Sequence, residues 1–359
     1  MVRFVSHLAI LCLVPAIAFG QPVAGPATPP DVPALVAKAE PAVACILVSR
    51  SPLYRKLNLV TGFEAPGVLG DVRGLNFLLP GADNERLELY RQLKLDDPHH
   101  VPEAFGTGLI IDAKGLVLTN YHVIRDAVKV FVRWPDGPGS YADIHAADPR
   151  SDLAVLRLLS PGPRPLTTIR FGNADNIRRG ETVIALSNPY VAGFLDGHAS
   201  VSVGVVSNLR RRIPGRQPIA ESSANPLYQF GLLMQTDARL ALGSSGGALL
   251  DAKGECIGVT TSLAALMGSD VPGGFAVPVT TRMRKIIETL RRGEEVDYGF
   301  LGVGLKPNPT DPKAQVDSVQ PFSPAFHAAI DPGDVIVDVD GVPIRDNQDL
   351  FLALSTCQA

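Results

Sequence analysis

Three separated segments of this chain carry residue types that together could transfer an acyl group. Acyl transfer through an alcohol needs a hydroxyl on a tight turn, an imidazole to take its proton, and a shielded carboxylate to hold that imidazole. The run Gly243-Ser244-Ser245-Gly246-Gly247 offers the hydroxyl of Ser245. Its glycines tolerate the backbone that exposes a side chain, and they let a second backbone approach closely. They also aim the N–H groups of the Gly243, Ser244, Ser245 turn, those of Gly243 and Ser245 above all, at one point, as an oxyanion hole requires. A Gly/Ser run alone is most often a flexible linker. Here Gln235-Thr236-Asp237-Ala238 leads in and an apolar strand leads out.

The imidazole candidate is His122, in Leu118-Thr119-Asn120-Tyr121-His122-Val123-Ile124, where it follows a strongly apolar run and therefore sits at a strand end. His99 and His100 fall in an irregular stretch and His7 in the N-terminal segment. A single histidine in such a setting is more often structural, so its weight comes from company. The carboxylate chosen is Asp152, which opens the apolar run Leu153-Ala154-Val155-Leu156; Asp148 competes, but Pro149 sets it back in the turn. The order His, Asp, Ser is that of chymotrypsin-like β-barrel enzymes and differs from subtilisins and α/β-hydrolases. With two members on one β-rich half and the third on the other, the site falls in a cleft between two barrels. As a base, His122 must be neutral, so the rate falls as acid protonates the ring.

The elements that must position these groups read as short strands. Val43–Ser49 is the first, and Gly108 to Thr119 reads as two strands around a Lys114-Gly115 turn. Val128–Trp134, Leu153–Leu159, Thr182–Leu186, Ser200–Ser207, Leu232–Thr236, Ala248–Leu250, Ile257–Thr261 and Phe275–Val277 continue the series. Many short strands punctuated by Gly, Pro, Asp and Asn predict an all-β barrel or sandwich, not βαβ units. One helix closes this domain: Thr280 caps it, Met283, Ile286, Ile287 and Leu290 line one face, and Gly293 stops it. Residues 50–103 are poorly periodic apart from a helix expected at Asn84–Leu95, and a stretch that long is usually functional or mobile. The basic run Leu209–Arg216 reads as a solvated loop; its functional alternative is a loop that orders the active site.

The chain has 359 residues, 46% hydrophobic and 19% charged, so a sizeable core is available and global disorder is excluded. A net charge of −3 predicts no broad attraction to nucleic acid or anionic membrane. At the N-terminus, Arg3, the apolar run Leu8 to Phe19 and Ala18-Phe19-Gly20 read as a signal peptide over residues 1–20. The apolar run is short of the roughly 20 residues of a membrane span, with an uncleaved anchor as the alternative. Both put the chain in an exported compartment, periplasmic or secreted. Residues 21–34 form a Pro-rich linker. Cys12 lies in the leader, which leaves Cys45, Cys256 and Cys357; an odd count gives no disulfide framework, and Cys45 and Cys256 sit in apolar runs as small hydrophobes.

At these residues the sequence resembles the HtrA/Deg family of trypsin-like serine proteases. The motifs are Gly106-Thr107-Gly108-Leu109-Ile110-Ile111, Leu118-Thr119-Asn120-Tyr121-His122-Val123, Asp148 to Leu156, Gln235-Thr236-Asp237-Ala238, Gly254 to Val259 and Gly274-Phe275-Ala276-Val277-Pro278. The resemblance runs from about Leu35 to the C-terminus and excludes much of residues 50–103, where the family carries a variable regulatory loop. It implies a mainly β fold, a trypsin-like double β-barrel over residues 35–292. It also implies endoproteolysis of unfolded exported polypeptides, no cofactor or metal, and a homotrimer. The competing function is a non-proteolytic exported chaperone or peptide-binding scaffold. The family usually has Asn where this chain has Ser244; the hole uses backbone N–H groups, so activity is expected to survive. A specificity pocket is implied around Arg239, Leu240, Thr260 and Thr261: Leu240 argues for apolar P1 residues, whereas an inward Arg239 would favour acidic ones.

Residues 293–359 resemble a PDZ domain, here a small α+β module that looks incomplete. Tyr298-Gly299-Phe300-Leu301-Gly302-Val303 is similar to the loop whose N–H groups capture a peptide C-terminal carboxylate, and Asn347–Ser355 would supply the groove's other wall. The strands that normally close the domain are missing, so a vestigial module is as open as one that binds C-terminal peptides.

Overall fold

The computed structural model describes residues 30–51, 94–97, 102, 104–135, 137–191, 193, 195–211, 233–262, 273–306 and 313–354. The expected signal peptide, most of the expected Pro-rich linker, the expected helix at 84–95 apart from its last two residues, and the basic run beyond Arg211 lie outside these residues.

Six strands close the first barrel: β1 (Val43–Ser49), β2 (Ala104–Asp112), β3 (Leu116–Asn120), β4 (Lys129–Arg133), β5 (Ser140–Asp148) and β6 (Leu153–Leu158), in the order β1-β2-β3-β6-β5-β4. β1 pairs antiparallel with both β2 and β4, which leaves no free edge. Period-two alternation explains why β1 is buried on both faces. Ala44, Ile46 and Val48 fill the barrel with Ile110, Val117, Val130, Val132 and Leu156, while Cys45 and Leu47 turn outward under Leu95 and Phe131. β5 is the strand that the sequence hides. Its side chains are mostly half-buried or exposed, and a register shift between Ile144 and Ala146 breaks the alternation that would have announced it.

The second barrel uses β7 (Thr182–Ser187), β8 (Ser200–Arg211), β9 (Leu233–Thr236), β10 (Ala248–Leu250), β11 (Cys256–Thr261) and β12 (Gly274–Pro278), ordered β10-β11-β12-β9-β8-β7. β8 runs past the expected end at Ser207, so Arg210 and Arg211 stand on a strand and not in a solvated loop. One apolar cluster is common to both barrels. Leu109, Leu118, Leu153 and Val155 of the first meet Ile184, Leu186, Ala248, Val259 and Val277 of the second. The helix Thr281–Arg292 adds Met283, Ile286, Ile287 and Leu290 to this cluster. Thr280 Oγ1 accepts the Met283 N–H at 3.1 Å, and Gly293 at φ 80° ends the helix in the left-handed region. Arg291 reaches back to Asp112 at 3.0 Å and ties the helix to the β2–β3 turn. The Lys114 N–H and this guanidinium hold the Asp112 carboxyl below the usual carboxylate range.

The C-terminal residues form β13 (Val303–Leu305) paired with β14 (Val316–Val319), and β15 (Asp338–Val339) paired with β16 (Val342–Pro343). The helices Pro324–His327 and Asn347–Leu354 accompany them. A small core of Ala314, Ile344, Leu350 and Ala353 holds this module together.

Loss of the helix cap in Thr280→Ala is expected to lower unfolding free energy by about 1 kcal/mol. Truncating Leu290, fully buried between helix and barrels, should cost about 2–5 kcal/mol; equilibrium urea unfolding measures both. Cys45 and Cys256 are buried free thiols that burial pushes up to about 12. Iodoacetamide at mildly alkaline pH is expected to leave both unmodified in the native protein and to modify both in denaturant, as read by peptide mass spectrometry.

Candidate active site

β3 ends at Asn120, and the chain turns into a single helical turn, Tyr121–Ile124, that presents His122. Facing it, Asp152 precedes β6 at φ 58°, a left-handed backbone that Asp tolerates better than most residues. This bend points carbonyl and carboxylate in one direction. The Asp152 carbonyl oxygen accepts the Tyr121 N–H at 2.9 Å and Asn120 Nδ2 at 3.0 Å. Its Oδ1 accepts the His122 backbone N–H at 3.0 Å, and its Oδ2 lies 2.8 Å from His122 Nδ1. The carboxylate can only accept, so Nδ1 carries the ring proton and Nε2 is left as the acceptor. Ser245 Oγ stands 2.9 Å from Nε2. Alcohol, ring and acid therefore hydrogen-bond in series, with the Asp152 side chain 4% exposed and that of His122 13%. Asp148, the competing acid, is occupied elsewhere: it accepts the N–H groups of Arg150 and Ser151 and the Tyr298 hydroxyl.

The turn that carries Ser245 is clamped to the first barrel by Thr107. Thr107 Oγ1 donates to the Gly243 carbonyl at 2.7 Å and accepts the Asn188 N–H at 2.9 Å. The Thr107 N–H donates to the Ser245 carbonyl at 2.8 Å. Gly246, at φ 89°, has no room for a side chain: a Cβ would lie 1.9 Å from the Thr107 carbonyl oxygen. Gly243 sits at φ 94°, in the left-handed region that glycine tolerates. Ser244 contributes differently from expectation. Its N–H goes to the Ala241 carbonyl at 3.0 Å, and its buried Oγ accepts from Ser187 Oγ at 3.0 Å and from the Ala241 N–H at 3.2 Å. Ser244 thus braces the turn from behind.

Two groups at the centre escaped the sequence reading. Thr107 was legible only as part of the Gly106-Thr107-Gly108 motif, with nothing in the sequence to say what its hydroxyl holds. Ser262 lies 2.7 Å from Ser245 through its Oγ and donates its N–H to Ser245 Oγ at 2.9 Å. Strand register would have found it. The Thr260 N–H donates to the Gly247 carbonyl and the Gly246 N–H to the Thr260 carbonyl, so continuing β11 brings Ser262 opposite Ser245.

Of the expected pocket residues, Thr260 and Thr261 are buried, and Leu240 is half-buried against Gly274, where a Cβ would lie 2.2 Å from Leu240 Cδ1. Arg239 is exposed, and its N–H donates to Ser202 Oγ at 2.8 Å. Among the described residues no group of three or more His, Cys, Asp or Glu side chains converges as a metal site would need. Tyr298, Gly299, Phe300, Leu301 and Gly302 line a groove of about 540 Å³, closed on the far side by Leu350 and Leu354. Arg150 of the β5–β6 turn lines it too, its guanidinium 4.4 Å from the centre of the Tyr298 ring. Burial and the Asp148 charge push the Tyr298 phenol well above its usual range.

Residues 106–259 match the family described as trypsin-like peptidase domain, and residues 299–359 match PDZ domain. A "Probable periplasmic serine endoprotease DegP-like" of Brucella suis is 34% identical over 262 residues, 70% of this chain and 47% of that protein. The chain thus spans about half the length of that curated relative. A protein of the same name from Ectopseudomonas mendocina is 31% identical over 351 residues, 94% of this chain and 68% of that one. Among solved structures, "HtrA-type protease AlgW with tripeptide" is similar with a TM-score of 0.59 at 25% identity, over 92% of this chain and 89% of that one. A trypsin-like double barrel that brings together His122, Asp152 and Ser245, followed by a PDZ domain, accords with these likenesses, and the chain belongs to the HtrA/Deg family of DegP-like serine proteases.

Proposed function

We propose that the chain is a serine endopeptidase in which Ser245 is the nucleophile, His122 the general base and then acid, and Asp152 the residue that orients the ring and stabilises its charged form. One observation carries this reading: the continuous hydrogen-bond series from Ser245 Oγ through the two ring nitrogens of His122 to the buried Asp152 carboxylate. Ser245 Oγ attacks the scissile carbonyl as its proton passes to His122 Nε2, and the imidazolium is stabilised by Asp152 at close range in a shielded site. The resulting oxyanion accepts from the Gly243 and Ser245 N–H groups, each donor being worth about 10²–10³ in rate. Collapse of the tetrahedral adduct expels the amine, which takes the Nε2 proton. Water, deprotonated by the same nitrogen, then frees the acyl group and restores Ser245.

Unfolded or damaged polypeptides of an exported compartment are the proposed substrates. This accords with relatives named as periplasmic endoproteases and with the apolar N-terminal segment. The domain limits follow the same reading: residues 35–292 as the protease domain, with the Arg50–Glu103 stretch as its variable loop, and residues 293–359 as the PDZ-like module. A medium-sized apolar P1 side chain is favoured by Leu240 over Gly274 and by the exposed Arg239. The Tyr298–Gly302 groove is the proposed receptor for peptide C-termini, and a homotrimer is the proposed assembly, on the family likeness.

Ser245→Ala and His122→Ala are each expected to lower kcat by about 10⁴–10⁶ with thermal stability retained, and Asp152→Asn by about 10⁴. Turnover of an unfolded casein-type substrate measures this, and cleavage that survives Ser245→Ala would remove the assignment. Among chromogenic peptides differing only at P1, kcat/KM should be higher for Val, Ala or Leu than for Asp or Glu; the reverse order would mean that Arg239 turns inward.

A further inference from the structure

Ser245 Oγ has three polar neighbours: His122 Nε2 at 2.9 Å, the Ser262 N–H at 2.9 Å and Ser262 Oγ at 2.7 Å. A hydroxyl offers one proton and two lone pairs. Because the ring proton is on Nδ1, facing Asp152, the Ser245 proton is directed at Nε2. The Ser262 N–H then occupies one lone pair of Ser245. At 2.7 Å the two hydroxyls must share a proton, and Ser245 has none left to give, so Ser262 is the donor to the second lone pair. Both lone pairs are engaged. Ser262 is itself 6% exposed and directly follows β11, so this contact is a packed feature of the site.

We infer that Ser262 quenches the nucleophile in the resting enzyme, and that its hydroxyl must let go of Ser245 before acylation can occur. Attack on a carbonyl or phosphoryl centre consumes a lone pair, and a lone pair held by a donor is lowered in energy and pointed away from the electrophile. Rotation of the Ser262 side chain releases one lone pair without moving the backbone. The inference rests on Ser245 being the nucleophile and adds a residue that touches the reacting oxygen and opposes its reaction.

The test is the rate at which a small alkyl fluorophosphonate labels the full chain. In that reaction the Ser245 Oγ–P bond forms as the P–F bond breaks, fluoride leaves and the hydroxyl proton passes to His122 Nε2. Ser262→Ala and Ser262→Gly, which both lack the donor, are expected to label about threefold to tenfold faster than the unsubstituted protein, the size of one net hydrogen bond. Ser262→Thr, which keeps a hydroxyl, should return the rate to that of the parent, an outcome that a purely packing role would not give. Thermal unfolding of each variant identifies any that fails to fold, and two donor-free variants keep the comparison available. Labelling of Ser262→Ala and Ser262→Gly at or below the parent rate overturns the inference while leaving Ser245 as nucleophile. Failure of the parent and of both donor-free variants to label overturns the nucleophile assignment itself.

Discussion

The proposed nucleophile on one barrel and the proposed base on the other can react only if the barrels cannot slide past each other. The apolar cluster that joins Leu109, Leu118, Leu153 and Val155 to Ile184, Leu186, Ala248 and Val259 supplies that constraint. These side chains are buried at close-packed density, where a displacement of a fraction of an ångström opens voids or clashes. The same strands carry the chemistry. β3 buries Leu118 and ends at the turn bearing His122, β6 buries Leu153 directly after Asp152, and β10 buries Ala248 three residues after Ser245. Core packing and catalytic alignment are therefore one geometrical requirement.

Hydrophobic packing is non-directional and cannot fix a hydrogen bond to a few tenths of an ångström. Thr107 provides the directional part. It sits on β2 of the first barrel and bonds the Gly243 and Ser245 carbonyls and the Asn188 N–H of the second. Around it, Ser187, Ser244 and Thr260 form a buried polar layer in which hydroxyls meet backbone groups of the nucleophile turn. Hydroxyls are small enough to fit this layer and can reorient, which is why Ser244 can brace a turn for which the family ordinarily uses Asn. Asp152 is satisfied in the same manner, since backbone and ring donors converge on its two oxygens and compensate the burial of its charge.

The PDZ domain is attached to this centre through the turn that bears the acid. Tyr298 donates to Asp148 and stacks under Arg150, and both of these precede Asp152 in a single tight turn. At the other wall of the groove, Asp349 on the helix Asn347–Leu354 is ion-paired with Arg210 of β8. Asp349 is buried, so its charge is shielded from solvent and its separation from Arg210 would be costly. Both walls of the groove thus rest on strands or turns of the protease barrels.

Residue type, spacing and order are properties of the chain, so the strands with unbroken apolar runs, the capped helix after Thr280, and His122, Asp152 and Ser245 as candidates were legible from the sequence alone. It did not disclose β5, whose polar faces and shifted register erase the alternation. It stopped β8 early because Asn208 to Arg211 look like a solvated run until Asp349 and Gln235 are seen beside them. In the sequence, Asp148 and Asp152 differ only in that Asp152 opens the apolar run and Pro149 sets Asp148 back in the turn. Only the fold shows their different partners: Asp148 accepts from Tyr298, and Asp152 bends onto His122. Thr107 and Ser262 belong wholly to the folded state. Each acts across a separation of 17 residues or more, and a contact set by strand register and barrel closure leaves no trace in the local order of residue types.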